Sequence, residues 1–141
     1  MTVLLDVNVL IALIDPTHVS HDAAHGWFGS LDEHWATCPL AENGVVRIVG
    51  NPRYPNTPGA PAVVAAVLRR PKRRAGHVFW PDDISLLDAA HVDPDRLLSH
   101  RQVTDSYLLA LAIAHGGTLA SLDRRLVVSA VRGGVDALRL I

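Results

Sequence analysis

A chain of 141 residues, 49% hydrophobic and 19% charged, is long enough to bury one core and too apolar for global disorder, so a single domain over residues 1–141 is expected. A net charge of −1 excludes a protein that grips nucleic acid by overall basicity, while leaving room for a local basic patch. Cys38 is the only cysteine, which excludes an intrachain disulfide and a cysteine-based zinc site.

The opening run Thr2-Val3-Leu4-Leu5 has strand character and meets Asp6 with no turn residue before it. It lacks the basic leader of a signal peptide, and no stretch reaches the ~18 apolar residues of a membrane span, so a cytoplasmic protein with no membrane association is expected. Val7 to Ile14 reads as a helix ended by Asp15-Pro16. Asp6 therefore stands between a buried strand and a helix. Asp is a favoured N-cap, and in open α/β sheets ligands bind at that same strand end, so capping and chemistry weigh evenly.

A helix follows from His18 to about Leu31, with Ala24, Trp27, Phe28 and Leu31 on one side. His18, His21 and His25 align on it, a spacing compatible with zinc, but no nearby carboxylate or cysteine completes a site. A solvated or capping face is the stronger reading. Trp35 to Cys38 forms a second strand, and Pro39 opens a helix to Val49 with Glu42 in its first turn, where the helix dipole favours an acid. Gly44 in mid-helix marks close packing or a bend.

Asn51 to Pro61 is a proline-rich loop, and Ala62 to Leu68 is helical. The run Arg69, Arg70, Pro71, Lys72, Arg73, Arg74 is the one concentrated basic patch, either a solvated helix end or a phosphate contact. His77 to Trp80 is a third strand stopped by Pro81, after which Asp82 and Asp83 are expected to cap a turn over residues 84–87. Thr104 to His115 is the most apolar helix, with Thr104 as its N-cap, Asp105 in the first turn and Gly116-Gly117 as the stop. Thr118 to Leu122 is a fourth strand ending at Asp123, Arg124 to Val128 begins a short helix, and Ala137 to Ile141 is a fifth strand. Strands separated by helices, without hairpin signals, specify an α/β fold with a parallel sheet and right-handed crossovers.

Asp6 and Asp123 follow apolar strands directly, and Glu42 and Asp105 open helices. A parallel sheet gathers strand C-termini and the following helix N-termini at one edge. Carboxylates that close repel unless neutralised, and hard oxygen donors suit Mg²⁺ or Mn²⁺. Metal-assisted phosphodiester hydrolysis is the chemistry such a site supports, with Asn8, Thr104 and Ser121 placed to orient ligands or water.

The acids in LLDVNVLIAL, PLAENGVVR, QVTDSYLLALA and TLASLD resemble the four-acid signature of PIN-domain ribonucleases, and the length resembles the VapC toxins of type II toxin–antitoxin modules. The resemblance runs from Val3 to Ile141. It implies that Asp6, Glu42, Asp105 and Asp123 bind Mg²⁺ or Mn²⁺, and that the sheet has five strands in the order 3-2-1-4-5 within a three-layer fold. It further implies endonucleolytic cleavage of structured RNA (transfer or ribosomal RNA), inhibition of translation, a VapB-type antitoxin as partner, and a homodimer or toxin–antitoxin hetero-oligomer. One departure is Ser121, where relatives often carry Thr; the hydroxyl is kept. The basic run from Arg69 to Arg74, together with Arg124 and Arg125 beside Asp123, supplies candidate RNA contacts, since an acidic pocket needs flanking cations to approach a polyanion.

Two other classes stay open. A haloacid-dehalogenase-type phosphatase also begins with a strand ending in Asp, but wants a second Asp where this chain has Asn8. A response-regulator receiver needs a lysine near its end, and Lys72 is the only lysine. A non-catalytic PIN-like interaction module would keep the shell without the chemistry.

Overall fold

In a computed structural model of residues 1–141, five short strands form the frame: β1 Val3–Leu5, β2 Trp35–Thr37, β3 His77–Phe79, β4 Thr118–Ser121 and β5 Leu138–Leu140. They make one sheet in the order β3-β2-β1-β4-β5, and every pairing is parallel. β1 lies at the centre, with Leu5 opposite Ala120 of β4. Successive strand residues point to opposite faces. All three residues of β1 are fully buried, so the middle of the sheet is covered on both sides.

The covering helices are α1 Val7–Ile14, α2 His21–Ser30, α3 Pro39–Val49, α4 Pro61–Leu68, α5 Val103–Ala114 and the short α6 Gly134–Ala137. α1 packs against α2 and α3, α4 against α3 and α1, and α5 on α6, β1 and β4. The core is one cluster of 31 buried residues running through strands and helices alike. Gly44 settles into close packing: a Cβ there would stand 3.1 Å from Val7 Cγ2, so its absence lets α3 lie against the start of α1. Gly117 has an equally local reason, since a Cβ would meet the Thr2 carbonyl oxygen at 2.3 Å.

Several boundaries differ from expectation, each for a hydrogen-bonding reason. The second helix starts at His21, not His18, because Asp15 accepts from the Thr17 amide at 3.0 Å and His18 Nδ1 from the Ser20 amide at 3.0 Å, holding a turn. Of the aligned histidines, His21 Nδ1 lies 2.7 Å from the Ala12 carbonyl and His25 Nε2 2.8 Å from that of Leu13. They satisfy carbonyls that the end of α1 leaves unpaired. The capping reading is the right one, although the helix end they cap is that of α1.

Asp82 and Asp83 do not cap a turn over residues 84–87, which is not helical. Asp82 accepts from the Leu40 amide at 3.0 Å, so it caps α3 from across the fold, and Asp83 meets His115 Nε2 at 2.9 Å. Thr104 is not the N-cap of α5. Ser99 and Gln102 form a capping box on a 3₁₀ turn, His100–Gln102, that leads into the helix. Arg124 to Val128 is a turn and irregular chain, not a helix. In the first two helices Val9, Leu10, Leu13 and Phe28 are buried in the core, while Val19 between them is 97% exposed.

Candidate active site

The sheet delivers Asp6 at the end of β1 and Asp123 two residues past β4, and β1 and β4 are neighbours. The capping reading of Asp6 holds, and the cap uses only one of its oxygens. One carboxylate oxygen accepts from the Val7 amide at 2.7 Å, the N-cap contact, while the other accepts from Ser121 Oγ at 2.7 Å. Ser121 is the hub of the junction: its hydroxyl oxygen also accepts from Asn8 Nδ2 at 3.1 Å and from the Asp123 amide at 3.1 Å. Asn8 Oδ1 in turn accepts from the Leu122 amide at 3.0 Å. Asn8 and Ser121 thus tie the first turn of α1 to the end of β4 and fix where Asp6 and Asp123 stand.

Ser121→Ala removes three hydrogen bonds from a buried site. It is expected to lower stability by about 1–2 kcal/mol and nuclease activity about tenfold, while Ser121→Thr stays near wild type. Thermal melts and cleavage rates on the same preparations check both; an Ala variant as active and as stable as the wild type would remove Ser121 from this role.

Asp105 enters from the first turn of α5 and shares a cleft of about 540 Å³ with Asp6, Asn8 and Thr104. Its carboxyl is pushed up to about 6, chiefly by burial and then by the charges of Asp6 and Asp123, and no hydrogen bond or cation offsets this. Burial also raises Asp6, with Asp123 adding to the rise while Ser121 and Val7 oppose it. Three acids therefore feel one another at the carboxyl edge of the sheet, and nothing on the chain neutralises them.

Glu42 is not brought into that group. Its Oε2 accepts from Thr37 Oγ1 at 2.6 Å and pairs with Lys72 Nζ at 2.7 Å. Helical geometry explains the separation. Leu40, Asn43, Gly44, Arg47 and Ile48 line the cleft, the i, i+3, i+4, i+7, i+8 stripe of one helix face. Glu42 precedes Asn43 by one residue, about 100° of rotation, and lines a second hollow with Ala65, Leu68 and Arg69.

The candidate RNA-contact residues divide. Arg74 donates to the carbonyls of Phe28 and Leu31 and lies over the Phe28 ring, ending α2. Lys72, besides Glu42, stands 5.3 Å from the centre of the Phe79 ring. Arg69, Arg70, Arg73, Arg124 and Arg125 are exposed. The basic run is thus not one phosphate patch: two of its cations have structural work. Asn43 and Arg47, which the sequence alone does not single out, also line the cleft, and Arg101 shares a neighbouring cavity with Asp105 and Asp123.

The residues fit a hard divalent cation. The donors are carboxylate oxygens with their charge unrelieved, the donor type Mg²⁺ and Mn²⁺ prefer. No three of them stand close enough to make a cage of direct protein ligands; Mg²⁺ is commonly held through one or two carboxylates with several waters kept.

The chain is similar to known proteins along nearly its whole length. The model of the PIN domain matches residues 3–131. Ribonuclease VapC39 of Mycobacterium tuberculosis is 46% identical over 139 residues, 98% of this chain and all of the relative. Ribonuclease VapC44 of the same organism is 44% identical over 134 residues, 94% of each chain. Among solved structures, Mycobacterium tuberculosis VapC20 superposes with a TM-score of 0.65 at 12% identity, covering 92% of this chain and 96% of that one. A VapBC2 chain from Rickettsia felis gives 0.58 at 11% identity, covering 99% and 98%; at such identities the likeness is one of fold. With near-complete coverage at 44–46% identity, the chain belongs to the PIN-domain family and, within it, to the VapC ribonucleases.

Proposed function

We propose that this protein is a Mg²⁺- or Mn²⁺-dependent endoribonuclease toxin that cleaves structured RNA, a transfer or ribosomal RNA, and so halts translation in the cytoplasm. The observation that carries this is the trio Asp6, Asp105 and Asp123, mutually repelling and unneutralised at the carboxyl edge of a parallel sheet. Asp6, Asp105 and Asp123 would hold the ion, directly or through its waters, with Asn8 and Ser121 fixing Asp6 and Thr104 lining the approach. When bound, such an ion supplies activated water and charge stabilisation for the departing oxygen. The chain's own part is to hold the carboxylates in place through the Ser121 hub and to guide phosphates with Arg124 and Arg125 beside Asp123. Glu42 supports the site from one residue farther round α3.

A VapB-type antitoxin covering the cleft, within a homodimer or a toxin–antitoxin hetero-oligomer, is the partner arrangement we infer from family membership. A phosphatase reading has no support in the fold relatives. A non-catalytic module would have little reason to carry three carboxylates that repel one another.

Purified protein incubated with total RNA should produce discrete cuts with Mg²⁺ or Mn²⁺ and none with excess chelator, and cut ends mapped after brief expression should fall at a defined site. Phosphate release from small monoesters is expected to be absent. Cleavage indifferent to chelator, or RNA retention with no cleavage at any divalent concentration, would overturn the assignment.

A further inference from the structure

Two cavities meet at Asp105. The first, of about 540 Å³ between α1, α3 and the start of α5, is lined by Asp6 and Asp105 and carries Arg47 on its α3 wall. The second, of about 320 Å³, holds Asp105 and Asp123 with Arg101 and Arg125. Through Asp105 the two cavities make one trough, with Arg47 in one arm and Arg101 and Arg125 in the other. Arg47, Arg101 and Arg125 share these cavities with carboxylates yet pair with none of them, for the ion pairs of the chain lie elsewhere. A planar donor fork left free beside an anionic centre is suited to a phosphate.

The flanks differ in chemistry. The Arg47 cavity has an apolar floor of Val7, Ile11, Leu40 and Ile48 with Asn43 at its side. The Arg101 cavity has a single apolar member, Val127. A cavity of that volume with an apolar floor and a few convergent polar groups suits one small planar ligand. An unstacked base is such a ligand, and single-stranded RNA is recognised through splayed-out bases held on their edges.

Building on the nuclease reading, we propose that the Arg47 cavity is a base-accepting subsite for the nucleotide on one side of the cut. Arg101, with Arg125, holds the RNA backbone on the other side. Arg47 and Asn43 make it selective, because they offer donors, and in Asn43 an acceptor, to a base edge and its phosphate. The Ser99–Gln102 capping box presents Arg101 by fixing the 3₁₀ turn on which it stands, and uses only its backbone amide, at 3.2 Å from Ser99 Oγ. Truncating the Arg101 side chain therefore spares the cap.

The test uses Arg47→Ala, Arg101→Ala and wild type with short single-stranded RNAs that vary the base on either side of the cut. Affinity is read by fluorescence anisotropy in chelator, so that binding is scored without cleavage, and kcat and KM are read with Mn²⁺. Arg101→Ala is expected to weaken binding about tenfold and lower the salt slope of log affinity by about one, with base preference unchanged. Arg47→Ala is expected to level the preference among bases on its side by about tenfold, in KM rather than kcat. Unchanged affinity and unchanged base preference in both variants would overturn the trough while leaving the nuclease intact. Wild type that binds RNA in chelator but, with Mn²⁺, cuts neither these RNAs nor any RNA of a total-RNA preparation would sink the nuclease reading instead. Variants whose melting curves match wild type validate the comparison; if Arg47→Ala unfolds, Arg47→Lys, which keeps the charge and loses the planar fork, must show the same levelling or the base-subsite assignment fails.

Discussion

Asp105→Asn should lower RNA cleavage by at least about a thousandfold and yet make the ion-free protein more stable at pH 7, by about 1 kcal/mol. The activity loss follows from removing one of three charges that would hold the ion. The stability gain has the opposite origin. The Asp105 carboxyl is raised from 3.8 to about 6 in the folded chain, through burial and then Asp6 and Asp123. Between those values the folded chain keeps a proton that the unfolded chain has released. Stability linked to this group is therefore complete below pH 3.8 and lost by the time pH has risen through about 6. Burial of Asp6 acts in the same sense. A shift of this size would carry more than 1 kcal/mol if unscreened, but Asp105 is partly open to solvent, which weakens it.

Denaturant melts in chelator from pH 4 to 8 should show wild type losing stability as pH rises, and the Asn variant with a shallower slope. Added Mn²⁺ should restore the wild type by mass action and do little for the variant. A wild type that outlasts Asp105→Asn in chelator at pH 7 would mean that the carboxylates are not mutually repelling, and the site as described would be wrong.

The parts of this molecule legible from sequence are those set by local chemistry. An apolar run of β-branched and leucine residues ending in an acid, as at Leu5-Asp6 or around Asp123, marks a buried strand and its carboxyl end together, since charge cannot continue into the sheet centre. Parallel topology then brings Asp6 and Asp123 to one edge whatever the loops do. The strand order came through family resemblance and not from the residues, and the sheet matches it. What was not legible depends on rotation and on distant partners. Glu42 and Asn43 are adjacent in the chain, and only the seating of α3, with Gly44 against Val7, decides which of them faces the cleft. Asp82 reads as a local cap because nothing nearby announces that the Leu40 amide will come to it. The basic run looks uniform on paper, whereas Arg74 is drawn onto the end of α2 and Lys72 onto Glu42.

That last pairing yields a graded expectation for the fourth acid. Glu42→Gln should slow cleavage about a hundredfold, clearly less than Asp105→Asn, because Glu42 is held by Lys72 and Thr37 and does not line the cleft with Asp6 and Asp105. Thr37 Oγ1 also lies 2.8 Å from His77 Nε2, so Glu42 is one end of a polar chain across β2 and β3, and changing it disturbs the wall on which α3 sits. Gln keeps the shape and can still accept from Thr37, so the fold should survive, while the ion pair is lost. Lys72→Met completes a double-mutant cycle. If Glu42 works through Lys72, the double variant should be no slower than Glu42→Gln alone, the non-additivity expected of partners in contact. Full additivity, with Glu42→Gln as damaging as Asp105→Asn, would show that Glu42 leaves Lys72 to join the ion directly, and the three-acid account of this cleft would have to give way to a four-acid one.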